Sequence, residues 1–70
     1  MEHIGITSEF IRLDAALKLG GVCPTGGEAK LLIQRGAVRV NGEICTMRGK
    51  KLRPGDRFEI RGREIEVRQA

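Results

Sequence analysis

Apolar residues recur at helical spacing in two early segments of the chain and alternate with polar residues in its second half. The first segment, ITSEFIRLDAALKLGG (residues 6–21), predicts an amphipathic helix that ends at its glycine pair. Thr7 is the expected N-cap, with Ile6 and Ile11 packed together as a hydrophobic staple. The stripe predicted to face the core consists of Phe10, Leu13 and Leu17.

The second helical segment is TGGEAKLLIQRG, residues 25–36, and it has a clearer start signal. Thr25 followed by Glu28 forms a capping box, in which each side chain can bond the backbone N–H of the other residue. The expected apolar face comprises Ala29, Leu32 and Ile33. The linker between the two segments is very short, so the helices should form a tight helix–turn–helix hairpin.

A hairpin is predicted next, because AVRVNGEIC (residues 37–45) alternates and contains the turn dipeptide Asn-Gly. A two-residue loop pairs Val40 with Glu43 and Arg39 with Ile44. A three-residue loop pairs Val38 with Ile44 and Arg39 with Glu43. The second register matches apolar with apolar and positive with negative side chains, so it is favoured. It makes Val38 and Ile44 core residues and places Arg39 on the surface.

The remainder of the chain predicts further antiparallel strands. RPGD (residues 53–56) has the sequence of a type II turn, with proline fixing φ and glycine tolerating positive φ. The strands FEI and REIEV follow, separated by a turn at Arg61 and Gly62, and each has one apolar and one charged face. The predicted fold class is therefore α+β: one domain over residues 1–70, with a two-helix hairpin packed on a small, mainly antiparallel sheet.

Size and composition limit the class of protein. A chain of 70 residues with 40% hydrophobic residues can form one domain with a small core. It contains no apolar run long enough to span a membrane and no secretory signal pattern, so a cytoplasmic location is expected. The protein is also expected to be a monomer. Two cysteines, Cys23 and Cys45, lack the spacing of a metal site and are interpreted as free thiols in a reducing compartment.

Catalytic chemistry finds little support in the sequence. His3 is the only histidine and is expected in a frayed terminus, so no nucleophile–histidine pair is credible. GVCPTGGEAK has the glycine spacing of a phosphate loop but lacks the following Lys-Ser/Thr and a preceding strand. Neither an enzyme nor a cofactor, metal or small-molecule site is predicted. Gly26 and Gly27 either open the helix N-terminus to a phosphate or permit close packing against the first helix, and both interpretations stay open.

Positive charge is concentrated in one part of the chain. The net charge of +4 arises from residues 35–57, which carry seven basic and two acidic side chains, and the flanking segments are close to neutral. Five of the ten residues in RGKKLRPGDR (residues 48–57) are Lys or Arg, and the Pro-Gly turn should hold this loop at one end. Such asymmetry favours a polyanionic partner over an ordinary solvated surface. The other cations within reach are Lys30, Arg35 and Arg39.

The aromatic content narrows the kind of polyanion. Phe10 and Phe58 are the only aromatic residues, and both lie at core-patterned positions, so stacking on single-stranded bases is not expected. Recognition of structured or double-stranded RNA by shape and phosphate fits better. Reading of DNA in the major groove is second, because the second helix offers few suitable side chains. An interaction module for an acidic protein partner is the other alternative.

The order of motifs resembles a known family. F-I-R-L-D-A-A-L-K-L, then T-G-G-E-A-K-L-L-I-Q-R-G-A-V-R-V-N-G, then a basic loop ending in R-P-G-D, is similar to the S-four RNA-binding domain, or alpha-L motif. The resemblance covers roughly residues 9–60. Gly26 and Gly27, Ala29 and Lys30, and the run R-G-K-K-L look most like the small free-standing bacterial members, the YbcJ/YaaA-like proteins. The resemblance implies two helices on a small sheet and a non-enzymatic RNA-binding role, with ribosomal RNA as one candidate partner.

The resemblance also implies where RNA would bind: at Arg12 of R-L-D, in the second helix around Lys30 and Gln34, and in the basic loop. The sequence departs from the family pattern at Gly26 and Gly27, where many members have Ser or Arg, so only backbone contact is expected there. Arg57 is not expected to take part. Together with the charge pattern, the predicted RNA-binding residues are Arg12, Lys30, Gln34, Arg35, Arg39, Arg48, Lys50, Lys51 and Arg53.

Overall fold

A computed structural model describes residues 2–70 of the protein as two short helices and seven strands. The helices pack against each other and against one face of the larger sheet, whose strand order is β1-β7-β6-β3-β4. A separate two-stranded ribbon joins β2 and β5. In chain order the elements are β1 Glu2–Ile6, β2 Ile11–Arg12, α1 Leu13–Leu19, α2 Gly26–Gln34, β3 Arg39–Val40, β4 Glu43–Ile44, β5 Lys51–Leu52, β6 Arg57–Ile60 and β7 Arg63–Gln69.

The predicted α+β class and the mainly antiparallel sheet are confirmed. All pairings in the larger sheet are antiparallel except that of β1 with β7. One apolar core lies between the helices and the sheet, and the alternation in β6 and β7 supplies much of it. The largest fully buried side chains are Phe58, Leu13, Leu17, Ile33, Leu52, Ile60, Ile65, Val38 and Val67.

The N-terminal residues form a strand, so the expectation that His3 lies in a frayed terminus is wrong. Strand β1 pairs in parallel with β7, with His3 opposite Glu66 and Ile4 opposite Val67. Ile4 and Ile6 are buried in the core. An isolated alternation of two isoleucines is a weak local signal, and the partner strand lies about sixty residues further along the chain.

The first helix begins at Leu13, so the predicted Thr7 N-cap and the Ile6–Ile11 staple are wrong. The first N–H groups of α1 are satisfied from outside the segment, because Leu13 N donates to the Lys50 carbonyl at 2.8 Å and Asp14 N to that of Arg48 at 3.1 Å. Tertiary hydrogen bonds thus take the place of a local cap. The predicted end of the helix is confirmed, since α1 stops at Leu19 and a glycine pair follows.

Helix α2 agrees with its sequence signals. The Thr25 hydroxyl oxygen accepts a hydrogen bond from Glu28 N at 3.2 Å, which confirms that half of the predicted capping box. Gly36, with φ 78°, follows the helix in the left-handed conformation expected of a stop signal. The predicted apolar face is buried: Ala29, Leu32 and Ile33.

The β3–β4 hairpin has a two-residue loop, so the favoured three-residue register is wrong. Val40 pairs with Glu43 and Arg39 with Ile44 across the hairpin, and Ile44 is 61% exposed rather than in the core. Strand β3 also pairs with β6, where Val40 lies opposite Phe58. Burial of Val40 beside Phe58 keeps Val40 in the strand and leaves only Asn-Gly for the turn, both at positive φ.

The turns around the last two strands are confirmed. In RPGD, Asp56 N donates to the Arg53 carbonyl at 2.9 Å and Gly55 has φ 101°, as a type II turn requires. The Asp56 carboxylate also accepts a bond from Arg53 N at 2.8 Å. Arg61 and Gly62 both have positive φ and connect β6 to β7. None of the helices within residues 2–70 is long and apolar enough to cross a bilayer.

Candidate nucleic-acid interface

The β2–β5 ribbon joins the start of α1 to the end of the basic loop. Ile11 pairs with Leu52 and Arg12 with Lys51. Leu52 is fully buried and Ile11 packs against the core, so these two residues form the inner side of the ribbon. Since side chains alternate along a strand, Arg12, Lys51 and Arg53 belong to the outer side. The structure therefore brings Arg12 together with two loop cations that lie about forty residues away in sequence.

Phe10 lies beside this outer side, one residue before β2. Its ring centroid is 4.9 Å from Lys51 Nζ and 6.0 Å from Arg53 Cζ, which are cation–π distances. The ring is half-buried, so the prediction that Phe10 belongs to the core stripe of a helix is wrong. The spacing of Phe10 with Leu13 and Leu17 is misleading because the chain is extended, not helical, before Leu13. We define the outer ribbon cluster as Phe10, Arg12, Lys51 and Arg53.

The basic loop is held at both ends. On one side, its backbone carbonyls at Arg48 and Lys50 accept the first N–H bonds of α1. On the other side, the RPGD turn is fixed to strand β7, because Gly55 N donates to the Val67 carbonyl at 2.8 Å. The loop backbone is thus part of the fold, while the side chains of Arg48, Lys50, Lys51 and Arg53 are exposed. The expectation that Pro54, Gly55 and Asp56 set the turn that presents the loop is confirmed.

The loop cations are available for a ligand. Arg12 is paired with Asp14, with 3.3 Å between Nη2 and Oδ2, so part of its charge is compensated within the protein. Within residues 2–70, no carboxylate lies within ion-pair distance of the side chains of Arg48, Lys50, Lys51 or Arg53. Positive charge in the loop is therefore directed to solvent, and a phosphate can meet it without displacing an internal partner.

The other predicted site residues lie on two different elements. On α2, Gln34 and Arg35 are exposed and Lys30 is half-buried, outside the buried arc of that helix. Arg39 is exposed on the sheet, where it lies opposite Glu59 of strand β6. Arg39 thus belongs to a surface of mixed charge. The predicted face of cations is densest around the ribbon and the loop.

The glycine pair at the start of α2 faces open space. A Cβ atom at Gly26 would meet no atom within 4 Å, and one at Gly27 only the Thr25 hydroxyl at 3.9 Å. Close packing against the first helix therefore does not explain these glycines. The surroundings leave room for an approaching phosphate at the backbone, the other interpretation of the pair.

Comparison with known proteins gives the class of the chain. It belongs to the S4 domain family, which matches residues 4–68, so the match includes most of strands β1 and β7 as well as the segment recognised in the sequence. The family resemblance drawn from the sequence is confirmed, and its extent is larger than the predicted residues 9–60.

Two kinds of relative show how this domain is used elsewhere. The chain is 44% identical over 59 residues to the probable ribosome maturation protein RlbA of Bacillus subtilis, covering 84% of this chain and 83% of that protein. It is 38% identical over 52 residues to small ribosomal subunit protein uS4 of Coxiella burnetii and 43% identical over 53 residues to uS4 of Rhodopirellula baltica. These matches cover 74% and 76% of this chain but only 25% and 26% of the two uS4 proteins.

Proposed function

We propose that the protein binds structured RNA, in particular ribosomal RNA, through the outer ribbon cluster and the basic loop. The observation that carries this proposal is the pairing of Arg12 with Lys51 across the ribbon, which gathers distant cations on one rigid surface. A fixed array of cations suits phosphates at the regular spacing of a duplex backbone. The relatives named for ribosome maturation and for the small ribosomal subunit support this choice of partner.

The mode of binding in this proposal is contact with phosphates rather than stacking on bases. Phe58 is buried in the core. The ring of Phe10 already has two cations over it. Neither ring is free to stack on an unpaired base in the way that single-strand binders require. The helix residues Lys30, Gln34 and Arg35 and the open backbone at Gly26 would extend the contact along α2.

We further propose that the protein acts as a monomer without catalytic activity and that its place of action is the ribosome or a precursor of it, in the cytoplasm. The match to RlbA, which covers 83% of that protein, supports this place of action, because the name of that relative refers to ribosome maturation.

Cross-linking in cells, followed by sequencing of the attached RNA, tests this proposal. Ribosomal RNA should be enriched with the wild-type protein and depleted with Lys51→Ala/Arg53→Ala. The matched control is Lys18→Ala/Arg61→Asn, which removes the same number of charges and keeps a residue that tolerates the positive φ of position 61. Predominant cross-links to an acidic protein would instead favour an interaction module.

Competition in vitro separates RNA from DNA. A hairpin RNA with a stem of roughly 16 base pairs is long enough for binding across two grooves. At equal salt, unlabelled hairpin RNA should displace labelled hairpin RNA from the protein far better than a DNA duplex of the same length does. Equal competition by the DNA would contradict recognition of RNA.

A further inference from the structure

We infer that Phe10 is a positioning residue for RNA binding: its ring holds the Lys51 and Arg53 side chains together as one phosphate-binding pair. This inference rests on the proposed function. Lys51 lies in β5 and Arg53 directly follows this strand; Leu52 between them is buried, so both side chains lie on the outer side of the ribbon. Their like charges repel each other, and their long side chains have many conformations in water.

The Phe10 ring counteracts both effects. Lys51 Nζ lies 4.9 Å and Arg53 Cζ 6.0 Å from its centroid, so the same ring attracts both cations through its quadrupole. The backbone that carries the ring is itself held by the fold. Ser8 Oγ donates to the Phe10 carbonyl at 2.8 Å, and the next residue, Ile11, pairs with Leu52 in the ribbon. A ring held in this way reduces the conformational freedom that two cations would otherwise lose on binding a phosphate.

The pair lies close to a third cation. Arg12 is the cross-strand partner of Lys51, and its guanidinium is engaged by Asp14. The two uncompensated cations of the cluster are therefore those on the ring, Lys51 and Arg53. The ligand group that this arrangement suits is a backbone phosphate, since the ring face has cations over it.

Two substitutions of Phe10 distinguish an effect of the aromatic ring from an effect of apolar side-chain volume. Phe10→Leu keeps an apolar side chain but removes the quadrupole, and Phe10→Tyr keeps the ring. We expect Phe10→Leu to weaken binding of the 16-base-pair hairpin RNA by about threefold to tenfold, the cost of ordering roughly one long side chain on binding. Phe10→Tyr should bind like the wild type, and the thermal midpoints of all three proteins should agree closely. Unchanged RNA affinity of Phe10→Leu would overturn the inference.

A double-mutant cycle tests whether Phe10 acts through the cations. In the Lys51→Ala/Arg53→Ala background, Phe10→Leu should cause no further loss of RNA affinity. A further loss of the same size would mean that the ring contacts RNA itself, and the inference would be wrong. Weak binding by both Phe10→Leu and Phe10→Tyr, together with lowered thermal midpoints, would show a purely structural role and would also overturn it.

The geometry can be measured without RNA, so failure of this inference is distinguishable from failure of the proposed function. In NMR spectra of the free wild-type protein, the side-chain methylene protons of Lys51 and Arg53 should show ring-current shifts that Phe10→Leu abolishes. Absence of these shifts would overturn the inference whatever the protein binds. Persistent shifts in a protein that does not bind RNA would instead overturn the proposed function and, with it, the role of the ring in RNA binding.

Discussion

Asn41 shows how one residue connects the hairpin to the basic loop. Its backbone has φ 51°, and its side-chain oxygen accepts a bond from Arg57 N at 3.0 Å. Its side-chain nitrogen donates to the Asp56 carboxylate at 3.2 Å. Asp56 also closes the RPGD turn, so a change at Asn41 reaches the end of the loop that carries Lys51 and Arg53.

We predict that Asn41→Ala lowers the free energy of unfolding by about 2 kcal/mol, because alanine is strained at positive φ and cannot make the two side-chain bonds. Asn41→Gly is the control, since glycine accepts this φ and loses only the side-chain bonds, so it should cost about 1 kcal/mol. Urea unfolding measures both. Equal costs for the two variants would mean that backbone strain contributes nothing.

The two cysteines differ in environment and should differ in reactivity. Cys23 and Cys45 are both free thiols, but Cys23 lies in the core and Cys45 is half-buried. Burial raises the pKa of the Cys23 thiol, so at a given pH less of it is in the reactive thiolate form. A thiol reagent at mildly alkaline pH should modify Cys45 first and Cys23 only at the rate of unfolding. Cys45→Ser isolates the Cys23 reaction, and rapid labelling of that variant would contradict the prediction.

At the level of elements, the basic loop combines a structural backbone with free side chains. The carbonyls of Arg48 and Lys50 complete α1, whereas the charges of Lys50 and Lys51 face solvent. Alanine substitutions remove the charges but keep the carbonyls. Affinity and stability should therefore respond separately to mutation of this loop.

We predict that Lys50→Ala/Lys51→Ala weakens RNA binding and reduces the log–log salt slope by about 2 in magnitude, about one unit for each phosphate that the variant no longer neutralises. The thermal midpoint should change little. The control Lys18→Ala/Arg61→Asn removes the same amount of charge from a different place, near Cys23, where both cations act to lower the pKa of the thiol. This control should leave the salt slope nearly unchanged. Should the loop variant unfold at much lower temperature, the run of cations would be structural.

Strand β1 is fastened to the rest of the molecule by Arg63. This side chain donates two hydrogen bonds to the Glu2 carboxylate and one, at 2.8 Å, to the Gly20 carbonyl at the end of α1. It thus joins three elements at one edge of the sheet. The hydrogen bonds from Arg63 hold the pKa of Glu2 below its usual range.

This shift predicts a pH dependence of stability. Because the folded-state pKa of Glu2 is depressed, its contribution is fully present above the pKa of the unfolded chain and is lost as pH falls through the folded pKa. Glu2→Gln should therefore be less stable than wild type at neutral pH, and the difference should shrink between about pH 5 and pH 3. Thermal midpoints across this range measure it. A difference independent of pH would contradict the assigned role of the carboxylate.

For the molecule as a whole, electrostatics should dominate RNA affinity. The excess charge lies in residues 35–57, and four of the seven cations there belong to the loop, where they have no ion-pair partner among the described residues: Arg48, Lys50, Lys51 and Arg53. With roughly four to six phosphate contacts, we predict a log–log salt slope of about −3 to −5 for the hairpin RNA. Titrations at several salt concentrations measure the slope. A flat dependence would contradict binding by phosphate contacts.

Local sequence signals are sufficient where a structure depends on neighbouring residues. The capping residue Thr25, the RPGD turn and the alternation of β6 and β7 act over a few residues, and each is predictable. The exposed loop cations follow from the charge pattern. The resemblance to the family implies that Arg12 belongs to the same site as the loop cations, but it gives no distance between Arg12 and those cations.

Local signals fail where distant segments decide the outcome. Helix α1 begins where carbonyls of Arg48 and Lys50 can receive its N–H groups, and no nearby residue reveals that position. The hairpin register depends on Val40 packing beside Phe58, a contact from another strand. The spacing of Phe10 with Leu13 and Leu17 predicts a core position. That prediction fails because the residues that Phe10 contacts, Lys51 and Arg53, are about forty residues away in sequence.

The sequence by itself thus determined the fold class, the second helix, the turns at RPGD and at Arg61–Gly62, and the concentration of positive charge, because periodicity, capping and turn residues act locally. Only the tertiary structure decided the parallel pairing of β1 with β7, the start of α1 and the outer ribbon cluster. Each of these depends on hydrogen bonds or packing between segments far apart in the chain. These long-range contacts stabilise the structure only once the core has brought the distant segments together, so local sequence signals do not reveal them.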